Sequence, residues 1–176
     1  MIDAAIVDGV ASLMAIFQGL AVTEPGMRME RGHHFLGGAA PYYRCYVCAD
    51  GKEMAVGPLE PQFYAALLSR LGAPDDWRSH QRDARTWNER SEQLAAIFRM
   101  RTRDEWAAIF DGSDACAAPV LTTEEAAAHP HMRERAVFES HDNVRQAAPA
   151  PRFSRTRGSI RASRPTDDVL HDWGVE

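Results

Sequence analysis

From Tyr42 to Leu71 the chain reads as strand, turn, strand, break and helix, an order that obliges a mixed α and β fold. Tyr42, Tyr43, Tyr46 and Val47 favour extended chain over Tyr42 to Cys48. Asp50-Gly51 is a two-residue hairpin signal, and Met54-Ala55-Val56 supplies the returning strand before Gly57-Pro58 breaks it. A helix then opens at Glu60-Pro61, with proline at the first helical position, where its missing N–H is no loss. Phe63, Leu67 and Leu71, with Tyr64 and Leu68 beside them, form the face it buries, and Gly72 ends it.

The flanks extend this reading. Ile2, Ile6, Val10, Leu13, Phe17 and Leu20 recur at helical spacing, so residues 2–22 predict one long amphipathic helix packed against protein. Asp3 and Asp8-Gly9 argue against a signal peptide or a membrane span. A chain that starts flush against so apolar a helix implies further polypeptide upstream. Thr23 to Ala40, rich in glycine and charge, is a loop. Ala73 to Arg85 is a polar connection and Glu89 to Met100 a helix. Thr102-Arg103-Asp104-Glu105 is a capping box opening a helix with Trp106, Ile109 and Phe110. Ala118 to Leu121 predicts a short strand, Thr122 to Ala128 a short helix, and Val137-Phe138 another extended piece.

The segment from Pro151 to Pro165 carries five arginines and no acid, within a chain of net charge −5. It is either a solvated tail or a strap lying on an acidic partner or near a ligand's phosphates. The chain's 176 residues suffice for one core, and a mildly acidic whole offers no case for nucleic acid or a membrane surface. Three cysteines are too few and too odd for a secreted disulfide scaffold and fit a reducing, cytoplasmic setting.

Few residues carry chemistry. Cys45-Tyr46-Val47-Cys48 has redox spacing but sits in a predicted strand, where an odd offset sends the two thiols to opposite faces. His33 and His34 are the only nearby candidates for a zinc site, and adjacent histidines seldom chelate one ion, so no metal is expected. His129-Pro130-His131 suits loop capping better than ligation, because proline holds the residue before it extended. Glu60 follows a strand and a Gly-Pro turn at the start of a helix, where unpaired N–H groups and the helix dipole favour its ionised form. It is either a helix cap or a carboxylate placed to hold a partner imidazolium in a proton-transfer site.

Taken in order, several stretches resemble the α-methylacyl-CoA racemases of the class III CoA-transferase superfamily. They are Asp3 to Gly9, Ala40-Pro41-Tyr42-Tyr43, Cys48 to Lys52, Ala55 to Tyr64, Ser113 to Leu121 and Ala148 to Thr156. The resemblance runs from residue 2 to about residue 157 and covers only the C-terminal half of such proteins. It implies an α+β fold in three parts: a linker helix and loop over 1–39, a small α/β domain over 40–120, and a return segment with a basic tail over 121–176. The Rossmann-like half would be lacking, and with it most CoA contacts and the catalytic histidine and aspartate.

The implied chemistry is proton transfer at the carbon alpha to a 2-methylacyl-CoA thioester, with CoA thioester as substrate and no other cofactor. Glu60 falls on the family's third catalytic acid, which hydrogen-bonds the histidine, while Leu36, Tyr43 and Leu59 fall where the acyl pocket is lined. The implied partners are the N-terminal half, or a full-length member, in an interlocked homodimer. A CoA-transferase fragment and a non-catalytic dimerising remnant are the alternatives. One departure stands out: the family commonly shows Leu-Asp-Gly-Gly-Ala-Pro, whereas this chain has Leu36-Gly37-Gly38-Ala39-Ala40-Pro41.

Overall fold

The computed structural model describes residues 3–24, 30–141, 143–160 and 164–174. It divides into two compact units, Met1–Val120 and Leu121–Glu176. The fold is mixed α and β.

The first unit opens with α1 (Ile6–Leu13) and α2 (Ala15–Thr23). The ladder passes through Met14, whose N–H donates to Val10 and whose carbonyl accepts from Gln18, both at 3.0 Å. The two therefore act as one rod of 18 residues, apolar and long enough by length and composition to cross a membrane. The expected start at Ile2 lies outside the described residues. The expected packing is not found among the described residues, for no residue of the rod is buried, and Ile6 and Val22 are 86% and 84% exposed. Its described ring contact is Phe17 edge-on to His34, at 5.6 Å.

Strands β1 (Arg44–Val47), β2 (Glu53–Val56) and β3 (Ala117–Pro119) form an antiparallel sheet in that order. β1 is shorter than expected because Tyr42 and Tyr43 belong to a turn in which the Tyr43 N–H donates to Ala40. The Tyr46 hydroxyl, donating to the Pro41 carbonyl at 2.6 Å, fixes that turn to the strand. The hairpin loop is also longer than two residues. Cys48 bonds Lys52, Gly51 bonds back to Cys48, and Gly51 takes the left-handed φ of 76° that closes a three-residue loop.

Tyr46 and Met54, paired across the hairpin, face the helices. Against them pack Tyr64, Leu67, Leu68 and Leu71 of α3 (Pro61–Leu71), Leu94 and Phe98 of α4 (Trp87–Phe98), and Trp106 and Phe110 of α5 (Arg103–Phe110). α3 ends at Gly72 in the left-handed region, and α5 carries the expected Thr102–Glu105 capping box. The polar connection before α4 winds into 3-10 turns, burying Trp77 under the Arg90 guanidinium at 3.8 Å. Arg103 is also buried, donating to the Val120 carbonyl and pairing with Asp104. Cys45 is exposed and Cys48 buried, so the odd offset separates the thiols as expected.

Burial pushes the hydroxyls of Tyr46 and Tyr64 up to about 12. An unfolded tyrosine ionises near 10, so above that pH the unfolded chain loses protons that the folded chain retains. Stability owed to these two groups is therefore complete below pH 10 and lost as pH rises from 10 to 12. Urea midpoints measured across that range are expected to be level up to pH 10 and then fall; a level midpoint at pH 12 would contradict the coupling.

The second unit begins with α6 (Thr123–Ala128), opened by a further capping box of Thr122 with Glu125, and α7 (Pro130–Glu134), with Pro130 in its first turn. Where only a short extended piece was expected, β4 (Phe138–His141) and β5 (Val144–Ala147) form a hairpin, with Asn143 at a left-handed φ of 63°. The basic tail is irregular over the described residues 151–160 and 164–165, and α8 (Thr166–Asp172) follows, which its composition did not suggest.

Candidate functional site

In the first unit, one face of the three-stranded sheet has no helix on it among the described residues. Cys45, Ala55 and Ala118 are register partners across the three strands, so they point the same way, opposite to Tyr46 and Met54. Two residues along each strand come Tyr43, Gly57 and Cys116. Together they line an open depression of about 380 Å³. The strand side chains lining it are small, and Tyr43, 38% exposed, is the one large ring at its side. The Gly57 N–H donates to the Cys116 carbonyl at 2.9 Å, and the Tyr43 ring lies 3.6 Å from where a Gly57 Cβ would stand.

Cys116 takes a left-handed φ of 48°, uncommon outside glycine. Burial pushes its thiol up, and the neighbouring Glu60 and Asp114 carboxylates push it the same way, so it remains a thiol at neutral pH. Glu60 is thus close enough to Cys116 for its charge to be felt there, though it does not itself line the depression. Its backbone begins α3: φ and ψ are extended, and its carbonyl accepts from Phe63 and Tyr64. Its side chain does not cap the helix, is exposed, and makes no hydrogen bond or ion pair among the described residues. Proline at the next position fixes the helix entry without help from the carboxylate.

The turn that presents Glu60 is held from beneath. Buried Gln81 donates through Nε2 to the carbonyls of Pro58 and Leu59, at 3.0 and 3.2 Å, and its own carbonyl accepts from Trp87 Nε1. This support could not be read from the sequence, where Gln81 is one polar residue in a polar connection. Of the four residues singled out, the fold brings Tyr43 to the depression, while Glu60 neighbours Cys116 without lining the depression itself. Leu59 is half-buried against the core, and Leu36, half-buried in the preceding loop, does not line the depression. At Gly37, where the resemblance would lead one to expect an aspartate, a Cβ would stand 2.7 Å from His34 Nε2, so the imidazole fills the space a side chain would need.

Among the described residues no group of three or more His, Cys, Asp or Glu is placed to hold a metal ion. His129 is extended before Pro130, as expected, but its side chain caps nothing, and the capping role expected for this pair is not found.

Residues 1–168 match the family model of CoA-transferase family III, and the chain belongs to that family. It is 42% identical to the α-methylacyl-CoA racemase of Mus musculus over 183 residues and 38% identical to that of Homo sapiens over 184. Each alignment covers 99% of this chain and 47% of the relative, so the chain spans about half the length of the curated relatives it matches. A CaiB/BaiF family protein from Brucella suis shares the fold, with a TM-score of 0.58 at 22% identity over 97% of this chain and 47% of that one.

Proposed function

We propose that this chain is the C-terminal half of an acyl-CoA racemase and supplies a carboxylate and an apolar wall to an active site completed by an N-terminal half. The observation that carries the reading is Glu60. A carboxylate that neither caps its helix nor meets a cation among the described residues neighbours Cys116, which lines an apolar depression. The identity to two racemases across the whole chain supports the same reading.

A proton alpha to a thioester is weakly acidic, so inversion needs a base on each face and donors for the enolate oxygen. The thioester substrate itself supplies the acidity, and no further cofactor is required. Histidine and aspartate of the N-terminal half would be the two bases. Glu60 would accept a hydrogen bond from the histidine, orient it and stabilise its protonated form. Tyr43 and the small-residue face around Ala55, Gly57 and Ala118 would receive the acyl chain. The exposed rod Ile6–Thr23 would be the linker leaving a Rossmann-like domain, which would cover its apolar surface. Two such chains would interlock, in a reducing cytoplasm that suits three unpaired cysteines.

The chain alone is expected to show no exchange of the α-proton of 2-methylacyl-CoA in deuterated water. Co-expression with the N-terminal half of a full-length family member should restore it. Exchange by the chain alone, followed by proton NMR, would place the bases within these residues and overturn the division of labour.

A further inference from the structure

We propose that the outer edge of β1 and the flank of α4 form a docking groove for an extended, acidic peptide segment of a partner protein, which adds to the sheet as a further strand. Three ladder bonds fix which way each backbone faces. The Cys48 N–H donates to the Lys52 carbonyl at 2.8 Å, the Val120 N–H to Glu53 at 2.9 Å, and the Gly57 N–H to Cys116 at 2.9 Å. Antiparallel pairing alternates, so Glu53, Ala55 and Gly57 turn their backbone groups toward β3, while Arg44, Tyr46 and Cys48 turn theirs toward β2. Cys45 and Val47 therefore turn theirs away from the sheet. β1 is the first strand in the sheet order, and these outward N–H and C=O groups have no hydrogen-bond partner among the described residues. An edge of this kind is a template for one more strand.

The helix turns that edge into a groove. Ser91, Ala95 and, at the C-cap, Arg99 form one stripe of α4 at a spacing of four, and with β1 they enclose about 550 Å³. Strand and helix run the same way. Before β1 the Tyr42 ring lies 6.0 Å from Trp87 at the start of α4, and after it the Ala49 N–H donates to the Arg101 carbonyl beyond the helix end at 2.8 Å. Arg44 therefore marks one end of the groove and Arg99 the other. Both are exposed, and neither has an ion-pair partner among the described residues. Glu92 is the single acid lining the groove, which keeps a net positive charge. These features choose the occupant. Unpaired main-chain donors and acceptors are satisfied by another main chain, and two unpaired guanidinium groups by carboxylates. A second copy of β1 would bring the same two arginines against these, whereas an acidic segment neutralises them. The groove lies along the edge of the sheet and not on its open face, and the proposal rests on neither Glu60 nor racemisation.

The test is calorimetric titration of the full chain at low salt with three blocked synthetic peptides. They are Glu-Val-Thr-Val-Glu-Val, its counterpart with lysine in place of glutamate, and the first peptide N-methylated throughout. The acidic peptide is expected to bind at a single site, about tenfold tighter than the lysine peptide, and the N-methylated peptide not to bind. Arg99→Glu, at an exposed position where folding is not at stake, should weaken the acidic peptide about tenfold. Val47→Pro removes an outward N–H and leaves the β1–β2 ladder whole, as proline does on an edge strand, and should also weaken it about tenfold. Arg70→Gln, on exposed α3, should leave it unchanged. The proposal is overturned if no peptide binds, if the lysine or N-methylated peptide binds as tightly, or if either Arg99→Glu or Val47→Pro binds like the parent chain. It is equally overturned if light scattering finds a dimer that Val47→Pro dissociates, because a second copy then holds the edge.

Discussion

Replacing Glu60 with glutamine in the reconstituted enzyme is expected to lower kcat/KM for α-proton exchange by about 100-fold, the lower end of what general acid–base groups contribute. Glutamine keeps the size and a hydrogen-bonding oxygen but removes the charge. A carboxylate beside an imidazole favours the imidazolium and raises its pKa, so its loss lowers that pKa. In the direction where the histidine must start neutral, the acidic limb of the pH–rate profile should move to lower pH by about one unit. KM should change little, because Glu60 does not line the depression that would receive the acyl chain. Stability should not change, since the side chain is exposed and does not cap α3. An unaltered rate and profile would remove Glu60 from the site.

The second large effect is on folding. Phe98 is fully buried, stacks on Tyr46 at 5.1 Å, and meets Trp106 and Phe110 edge-on and tilted at 5.4 and 6.3 Å. Its carbonyl also accepts from Trp106 Nε1 at 2.8 Å. The ring thus joins β1, α4 and α5, and Phe98→Ala would leave a cavity that rigid neighbours cannot fill. A loss of about 3–5 kcal/mol is expected, against a whole-domain stability of about 5–15 kcal/mol. Met100→Ala, two residues on and 76% exposed, should shift stability by less than about 0.5 kcal/mol. Urea denaturation of both variants checks the contrast; similar midpoints would mean that Phe98 is not the hub of the core.

How far the sequence reached depended on the range of the interactions concerned. The Thr102–Glu105 capping box, the Glu60-Pro61 helix start and the Gly72 stop involve partners within four residues, so they could be read directly. The β4–β5 hairpin escaped because Phe138-Glu139-Ser140-His141 shows neither strong alternation nor β-branched residues, and pairing alone makes it a strand. Tyr42 and Tyr43 misled in the other direction: both favour extended chain, yet the Tyr46–Pro41 hydrogen bond makes a turn of them.

The sequence alone determined the local order of strand, turn, strand and helix, the family, and Glu60 as the carboxylate worth following, because short-range backbone chemistry and ordered motifs record these. The tertiary structure decided what those residues face. Pairing across three strands put Cys45, Ala55 and Ala118 on one open wall, and Gln81, 21 residues from Glu60, braced the turn that presents it. It also left the apolar rod Ile6–Thr23 uncovered. Contacts between residues far apart in the chain leave no periodic trace in either segment, so only the folded molecule shows them.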